Sequence, residues 1–375
     1  MEARAGIYER AVRPLLFSLA PDTAHAVAFA ALGAVEHFAT LRAWVTAALF
    51  PPPDERLVVR AMGLEFPHPL GLAAGFDKNC RRPRALAALG FAHLEIGTVT
   101  AHPQAANQTP NLFRLPADRA LVNRLGFPNV GAELVAARLG AARRRAHGGL
   151  RVPVGVSIGK SRRTAANDLE AVIVDYSAAL DAVRHAADFV VVNVSSPNTA
   201  GLRSLQGSEH ARALLARLAS RTDGRPLLVK IAPDMGDAEL EALLAVVEEL
   251  ALAGVVATNT TLERSGLATS ADRICAVGAG GLSGPPLRER ALQVVRRVRA
   301  RLGGATTIVG VGGIEGPEDA IAFVQAGANL LQMYTGFIYG GPQEPRRIAQ
   351  GLAEWVTRER AQTIGQLVGC AALHS

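Results

Sequence analysis

Eight short, β-branched, apolar runs recur along the chain, and this repetition limits the possible folds more than any other feature. They lie at 69–74, 93–99, 153–158, 188–194, 226–231, 254–258, 306–311 and 329–334. Stretches rich in Ala, Leu, Arg and Glu, with helical spacing, separate them. Runs apolar throughout and divided by helices are what strands buried on both faces of a parallel sheet look like. Eight units in succession point to an α/β fold of the (β/α)8 TIM barrel type. A doubly wound sheet is the alternative, but it rarely supplies eight even units. The 375 residues hold one such barrel plus an extension, and 49% hydrophobic content supplies a large core.

The extension is at the N-terminus. Residues 1–50 read as two short helices, broken at Pro21, with Asp22 or Thr23 as cap of the second. Val27, Phe29, Leu32, Val35 and Phe38 continue along that second helix. A pair packed on the main domain and an amphipathic hairpin lying in a membrane interface both suit this pattern. Pro51, Pro52 and Pro53 mark a linker. Two domains are therefore expected, a helical one over 1–50 and the barrel over 54–375. Glu9, Arg10, Arg13 and Pro14 interrupt the first apolar stretch, which argues against a secretory signal. The next, Ala24 to Val35, falls short of the roughly 20 residues a bilayer span needs.

Charge and cysteine usage narrow the function. The net charge is +7, mostly from arginine in helical stretches such as 138–151 and 288–301. A solvated basic surface, an anionic lipid partner or an anionic substrate would each account for it. Nucleic acid is disfavoured, because aromatics are only 5% and never interleave with the basic residues. Cys80, Cys275 and Cys370 stand far apart without a CxxC pair, so neither a disulfide framework nor a metal site is expected.

Polar and glycine residues gather after each apolar run, as in AAGFDK (73–78), NVSSPN (193–198), ATNTT (257–261) and GVGGI (310–314). In a barrel those ends form the face that carries the active site. Lys78, Lys160, Asn193, Asn198, Lys230 and Asn259 all fall there. GVGGI after the seventh run and YTGF after the eighth suit the usual barrel phosphate site. GGLSG (280–284) reads as a third glycine contact or as a flexible cover. Lys230 could face the edge of a flavin, where negative charge grows on reduction. Lys78 could hold a carboxylate. Asn123, Asn193, Asn198 and Asn259 suit an amide-rich ring, although a lone Asn is more often a turn residue. Ser196 could act as a base only where something eases its deprotonation, and a plain Ser-Pro turn fits the spacing equally well.

Taken together, LGLAAGFDK, EIGTVT, FRLP, NRLGF, NVSSPN, TNTT, GGLSG, GVGGI and YTGF resemble the class 2, quinone-dependent dihydroorotate dehydrogenases in order and spacing. The likeness runs from about Arg13 to the C-terminal helix. It implies an FMN-binding barrel that oxidises dihydroorotate to orotate in pyrimidine biosynthesis and passes the electrons to a membrane quinone. It also implies a peripheral protein on the cytoplasmic face of the inner membrane, held to an anionic surface by the N-terminal hairpin, with no obligate protein partner. Carried over by position, Ala74, Gly75, Phe76, Asp77, Lys78, Thr98, Ser157, Asn193, Lys230, Thr258, Gly284, Gly313, Tyr334 and Thr335 would bind FMN. Lys78, Asn123, Arg124, Leu125, Gly126, Phe127, Asn193, Asn198, Asn259 and Thr260 would bind substrate. Ser196 would be the base and Thr199 its proton relay. His25, Arg114 and Tyr334 would line the quinone tunnel.

The class 1 enzymes are similar in the barrel, but they carry cysteine where this chain has Ser196 and they lack the N-terminal helices. A tRNA-dihydrouridine synthase would show a catalytic cysteine loop, and a flavin-free phosphosugar enzyme would not need Lys230. The chain departs from the family at Ser157, where asparagine is usual. The shorter serine implies a flavin contact that is lost or bridged by water. Pro128 after NRLGF should stiffen that turn.

Overall fold

The computed structural model describes residues 6–144, 149–198 and 208–370. All eight apolar runs form strands, and the eight strands close into one parallel barrel in sequence order. They are β1 (Leu70–Leu72), β2 (Leu94–Val99), β3 (Val154–Ile158), β4 (Phe189–Asn193), β5 (Leu227–Ile231), β6 (Gly254–Ala257), β7 (Thr307–Val311) and β8 (Leu330–Met333). Each boundary lies within two residues of the expected run. Side chains alternate across each strand. One set, including Val156, Val190, Val192 and Val229, packs outward against the helices. The other, with Phe189, Val191, Leu228, Val256, Val309 and Leu330, fills the barrel interior. An antiparallel hairpin, Val59–Ala61 with Leu64–Phe66, precedes the barrel, and Phe66 packs into the same interior cluster. Gly155 shows how tight that interior is, since a Cβ there would lie 2.1 Å from the Phe189 ring. A Phe189→Ala change would therefore leave a cavity costing about 3–5 kcal/mol.

A second sheet bears on the site. Leu112–Leu115, Ala120–Asn123 and Gly281–Ser283 pair antiparallel, with Asn123 opposite both Leu112 and Gly281. GGLSG is thus largely a strand, not the flexible cover its glycines suggested. Its backbone bonds are taken up by Ala120–Asn123, which fixes its register.

The N-terminal segment has more breaks than expected. A π-helical turn, Tyr8–Val12, runs into α1 (Arg13–Ser18), followed by α2 (Pro21–His37) and α3 (Ala39–Leu49). Asp22 and Thr23 do not cap α2; Ala20 occupies the cap position and Pro21 the first turn, where its missing N–H costs nothing. Phe38 does not continue α2 either. It is the extended residue at which the chain turns by 108° into α3. Polar contacts fasten this segment to the barrel. Tyr8 OH donates to Ile338 O at 2.7 Å, Arg13 to Tyr339 O at 3.0 Å, and Arg114 to Leu19 O at 2.7 Å. A buried ion pair joins Arg84 Nε to Glu36 Oε1 at 2.8 Å. The other side of the segment presents Ile7, Leu15, Phe38 and Trp44 to solvent, the last two 66% and 70% exposed. No single described helix is long and apolar enough to cross a membrane; α2 and α3 together pass that test but are bent.

Candidate active site

The C-terminal ends of the strands surround a cavity with about 1070 Å³ of empty space. Lys78, Thr98, Asn193, Lys230 and Thr258 reach it from strand ends, and Asn123, Leu125, Gly126 and Phe127 reach it from the roof. Ala74, Gly75, Ser196, Asn198, Asn259, Thr260, Gly284, Gly313, Tyr334 and Thr335 also line it. Most residues singled out in the sequence therefore meet at one place.

The four asparagines form two linked pairs. Asn193 Oδ1 accepts from Asn259 Nδ2 at 3.3 Å, and Asn198 Nδ2 donates to Asn123 Oδ1 at 3.0 Å. Asn259 Nδ2 also reaches Ser195 Oγ at 2.9 Å. Amides held by one another present their remaining donors and acceptors in fixed directions, which suits a ring edge bearing both. Ser196 is buried, and its Oγ accepts the Asn198 N–H at 3.3 Å. That bond favours negative charge on the oxygen.

Two lysines serve different ends of the cavity. Lys78 Nζ donates to Gly75 O at 2.5 Å. Burial pulls its ammonium down to about 8, while the charges of Asp77 and Asp22 oppose the shift. An anion arriving beside Lys78 would restore its charge. Lys230 sits 3.6 Å from Glu95 Oε1 inside the barrel, and Gln332 Nε2 donates to Glu95 Oε2 at 2.8 Å. Such a buried pair is costly to break, because either partner alone is an uncompensated charge. Glu95 and Gln332 were missed in the sequence. The usable signal was there: each is a polar residue inside an otherwise apolar strand.

Several expected site residues have other roles. Asp77 accepts the Arg81 and Arg82 N–H groups at 2.9 and 2.8 Å, so it braces its own loop. Phe76 turns toward the N-terminal helices. Arg124 binds the carbonyls of Val277, Ala279 and Pro110 and covers the Phe113 ring. Lys160 donates to Ser161 O and Thr164 O and stays outside the cavity lining. Ser157 also lies outside the lining. Its Oγ pairs with Thr98 Oγ1 at 3.0 Å, and Thr98 in turn accepts from Asn193 at 2.9 Å. The serine thus meets the cavity lining through Thr98. Thr199 lies outside the described residues.

The residues expected at a quinone site are placed apart: His25 and Tyr334 are joined through Phe76, and Arg114 lies against Phe17 and Leu19. His25 stacks edge-on against Phe76 at 5.5 Å, and Phe76 meets Tyr334 at 5.8 Å. Tyr334 belongs to the cavity wall. A line of rings therefore leads from α2 to the cavity. Burial, with help from Lys78 and Arg81, lowers His25 to about 4, so its imidazole is neutral near pH 7. Arg114 lies over the Phe17 ring at 4.6 Å.

Comparison with known proteins agrees with this geometry. Residues 56–356 match the family model described as dihydroorotate dehydrogenase. The dihydroorotate dehydrogenase (quinone) of Thermobifida fusca is 50% identical over 368 residues, 97% of this chain and 96% of that protein. The protein of the same name from Mycobacterium tuberculosis is 47% identical over 96% of this chain and 97% of its own length. The crystal structure of Eimeria tenella dihydroorotate dehydrogenase in complex with ferulenol superposes with a TM-score of 0.81 at 32% identity, covering 95% of this chain and 98% of that one. With that match over residues 56–356 and these relatives covering nearly the whole chain, the chain belongs to the dihydroorotate dehydrogenase family, in its quinone-dependent class.

Proposed function

We propose that this chain oxidises dihydroorotate to orotate with FMN as bound cofactor and a membrane quinone as final acceptor. The observation carrying this reading is the single cavity that unites Ser196, the asparagine pairs, Lys78 and Lys230 with a phosphate-type glycine loop. Its residues suit FMN. Gly312 and Gly313, at φ +139° and +79°, bring bare backbone to the cavity wall. A Cβ on Gly313 would lie 2.6 Å from the Arg288 side chain, so only glycine lets the loop pack there. The short helix Thr335–Gly340 begins beside them, the arrangement in which barrels receive a phosphate. Gln332 Oε1 is buried without a hydrogen-bond partner among the described residues and is available to a ligand N–H.

Bound FMN supplies a two-electron acceptor beside the substrate. Lys78 and the asparagines hold the carboxylate and ring amides of dihydroorotate. Ser196 Oγ takes the C5 proton while giving up its own hydroxyl proton, and the Asn198 N–H steadies the partial negative charge on the oxygen as that proton leaves. Thr199 relays that proton onward by analogy with the family. Lys230, with Glu95 beneath it, keeps a cation at the cofactor. The apolar side of the hairpin rests on the cytoplasmic face of the inner membrane, and quinone approaches past His25 and Arg114 to Tyr334. The pair of domains, 1–50 and 54–375, divides the work into docking and chemistry.

A steady-state assay with dihydroorotate tests the choice of acceptor. Turnover with a soluble ubiquinone or menaquinone analogue and none with fumarate is the expected result. Turnover with fumarate alone would replace the quinone reading with class 1 chemistry.

A further inference from the structure

A second cleft lies where the hairpin meets the barrel, away from the cavity described above. It has about 680 Å³ of empty space and is bounded by the end of α2, the loop before Pro83 and the helix Ala132–Arg144. Four arginines line it, Arg81, Arg82, Arg84 and Arg138. Glu36 is the one carboxylate in its lining among the described residues, and it is already engaged. Its Oε1 accepts from Arg84 Nε at 2.8 Å and its Oε2 from the Ala85 N–H at 2.9 Å.

Two features of the cleft remain uncompensated. The lining carries four arginines against a single carboxylate, Glu36, a balance that favours an anion. Arg84 is also nearly fully buried, and its Nη1 has no hydrogen-bond partner among the described residues. A buried donor left unpaired is costly, the more so when charged. An anion in the cleft would relieve both. Backbone carbonyls orient two of the arginines in advance: Arg82 Nε donates to Phe29 O and Arg138 Nη1 to Asn79 O, each at 3.0 Å. Planar guanidinium forks match the tetrahedral oxygens of phosphate better than they match a halide.

We propose that this cleft is a binding site for a phosphate-bearing anion, held by Arg81, Arg84 and Arg138 at the joint between hairpin and barrel. The anion could be free phosphate or the headgroup of an anionic lipid. The cleft is next to the bend at Phe38, whose side chain is 66% exposed, so a headgroup could reach it from a membrane on that side. That source rests on the membrane reading above, whereas the site itself does not.

The test uses the full chain loaded with flavin, so that the cavity's own phosphate site is filled. Inorganic phosphate is titrated while thermal unfolding is followed, with chloride at equal ionic strength as control. Binding to phosphatidylcholine vesicles with and without phosphatidylglycerol is measured in parallel. Wild type is compared with the Arg81→Gln, Arg138→Gln double variant, which leaves flavin reduction by dihydroorotate unchanged. Saturable protection by phosphate, weakened about tenfold or more in the variant, supports the site. A preference for anionic vesicles that the variant loses also supports it and names the headgroup as the source. Wild type protected by phosphate but indifferent to every vesicle keeps the site and removes the membrane reading. Equal behaviour of wild type and variant in both measurements overturns the proposal.

Discussion

In the proposed reaction Ser196 carries the heaviest chemical demand, because an unaided serine is a weak base. Its surroundings are dry and polar: the side chain is buried, Asn198 donates to its oxygen, and no histidine is among the residues lining the cavity. Removing the oxygen should therefore abolish proton removal without disturbing the cradle of the cofactor. Ser196→Ala is expected to retain flavin and to slow its reduction by dihydroorotate about 10²- to 10⁴-fold near neutral pH, read by stopped flow. Reduction at the wild-type rate would show that another group takes the proton. At this scale the sequence was legible at most strand ends, as with Asn193, Lys230 and Thr258, whereas Ser157, also at a strand end, pairs with Thr98 and stays out of the lining. It was less legible just beyond, where loop conformation decides which way a side chain points. Phe76 and Asp77 are neighbours of Lys78, yet one turns to the helices and the other braces its own backbone. Spacing cannot separate these outcomes.

Among the elements, the barrel strands were the most readable and the N-terminal helices the least. A strand buried on both faces leaves a short, mostly apolar run followed by glycine and polar residues, and eight such runs recur along the chain. The antiparallel roof left no such run, since its strands are three or four residues long and in one of them two of three residues are glycine and serine. The α2–α3 hairpin read as either packed or membrane-facing, and it has both faces. Phe29 and Val45 belong to the buried core, while Phe38 and Trp44 stand in solvent. Exposed side chains contribute little to stability but much to partition into a membrane. Phe38→Ser combined with Trp44→Ser should leave the unfolding temperature nearly unchanged. It should weaken binding to liposomes about a hundredfold, from about 3 kcal/mol of lost apolar burial. Undiminished liposome binding by a folded variant would mean that the hairpin is not the docking surface.

For the whole molecule, burial sets a dependence on pH. His68 and His93 are fully buried in and around the start of the barrel. His68 Nε2 approaches Gly90 O at 3.0 Å, and neither nitrogen of His93 has a partner among the described residues. Burial holds them neutral, lowering His68 to about 4 and His93 to about 3. The unfolded chain takes up these protons near pH 6.5, well before the folded chain does. Folding stability should therefore be unaffected by these groups above pH 6.5 and be lost as pH falls from there toward 4. The slope is about 1.4 kcal/mol per pH unit for each histidine. Denaturant midpoints at pH 7 and pH 5 would show it, and because His25 is lowered to about 4 as well, His93→Leu should remove about a third of the slope. A midpoint flat across that range would mean that the histidines are solvated.

In the proposed reaction one cavity passes electrons from dihydroorotate through bound FMN to a quinone. The most direct test is an anaerobic spectrum of the purified full chain. Dihydroorotate should bleach a flavin band, and a soluble quinone should then restore it. A flavin that dihydroorotate leaves oxidised would contradict the account, because the same cavity would then hold the cofactor without using the substrate.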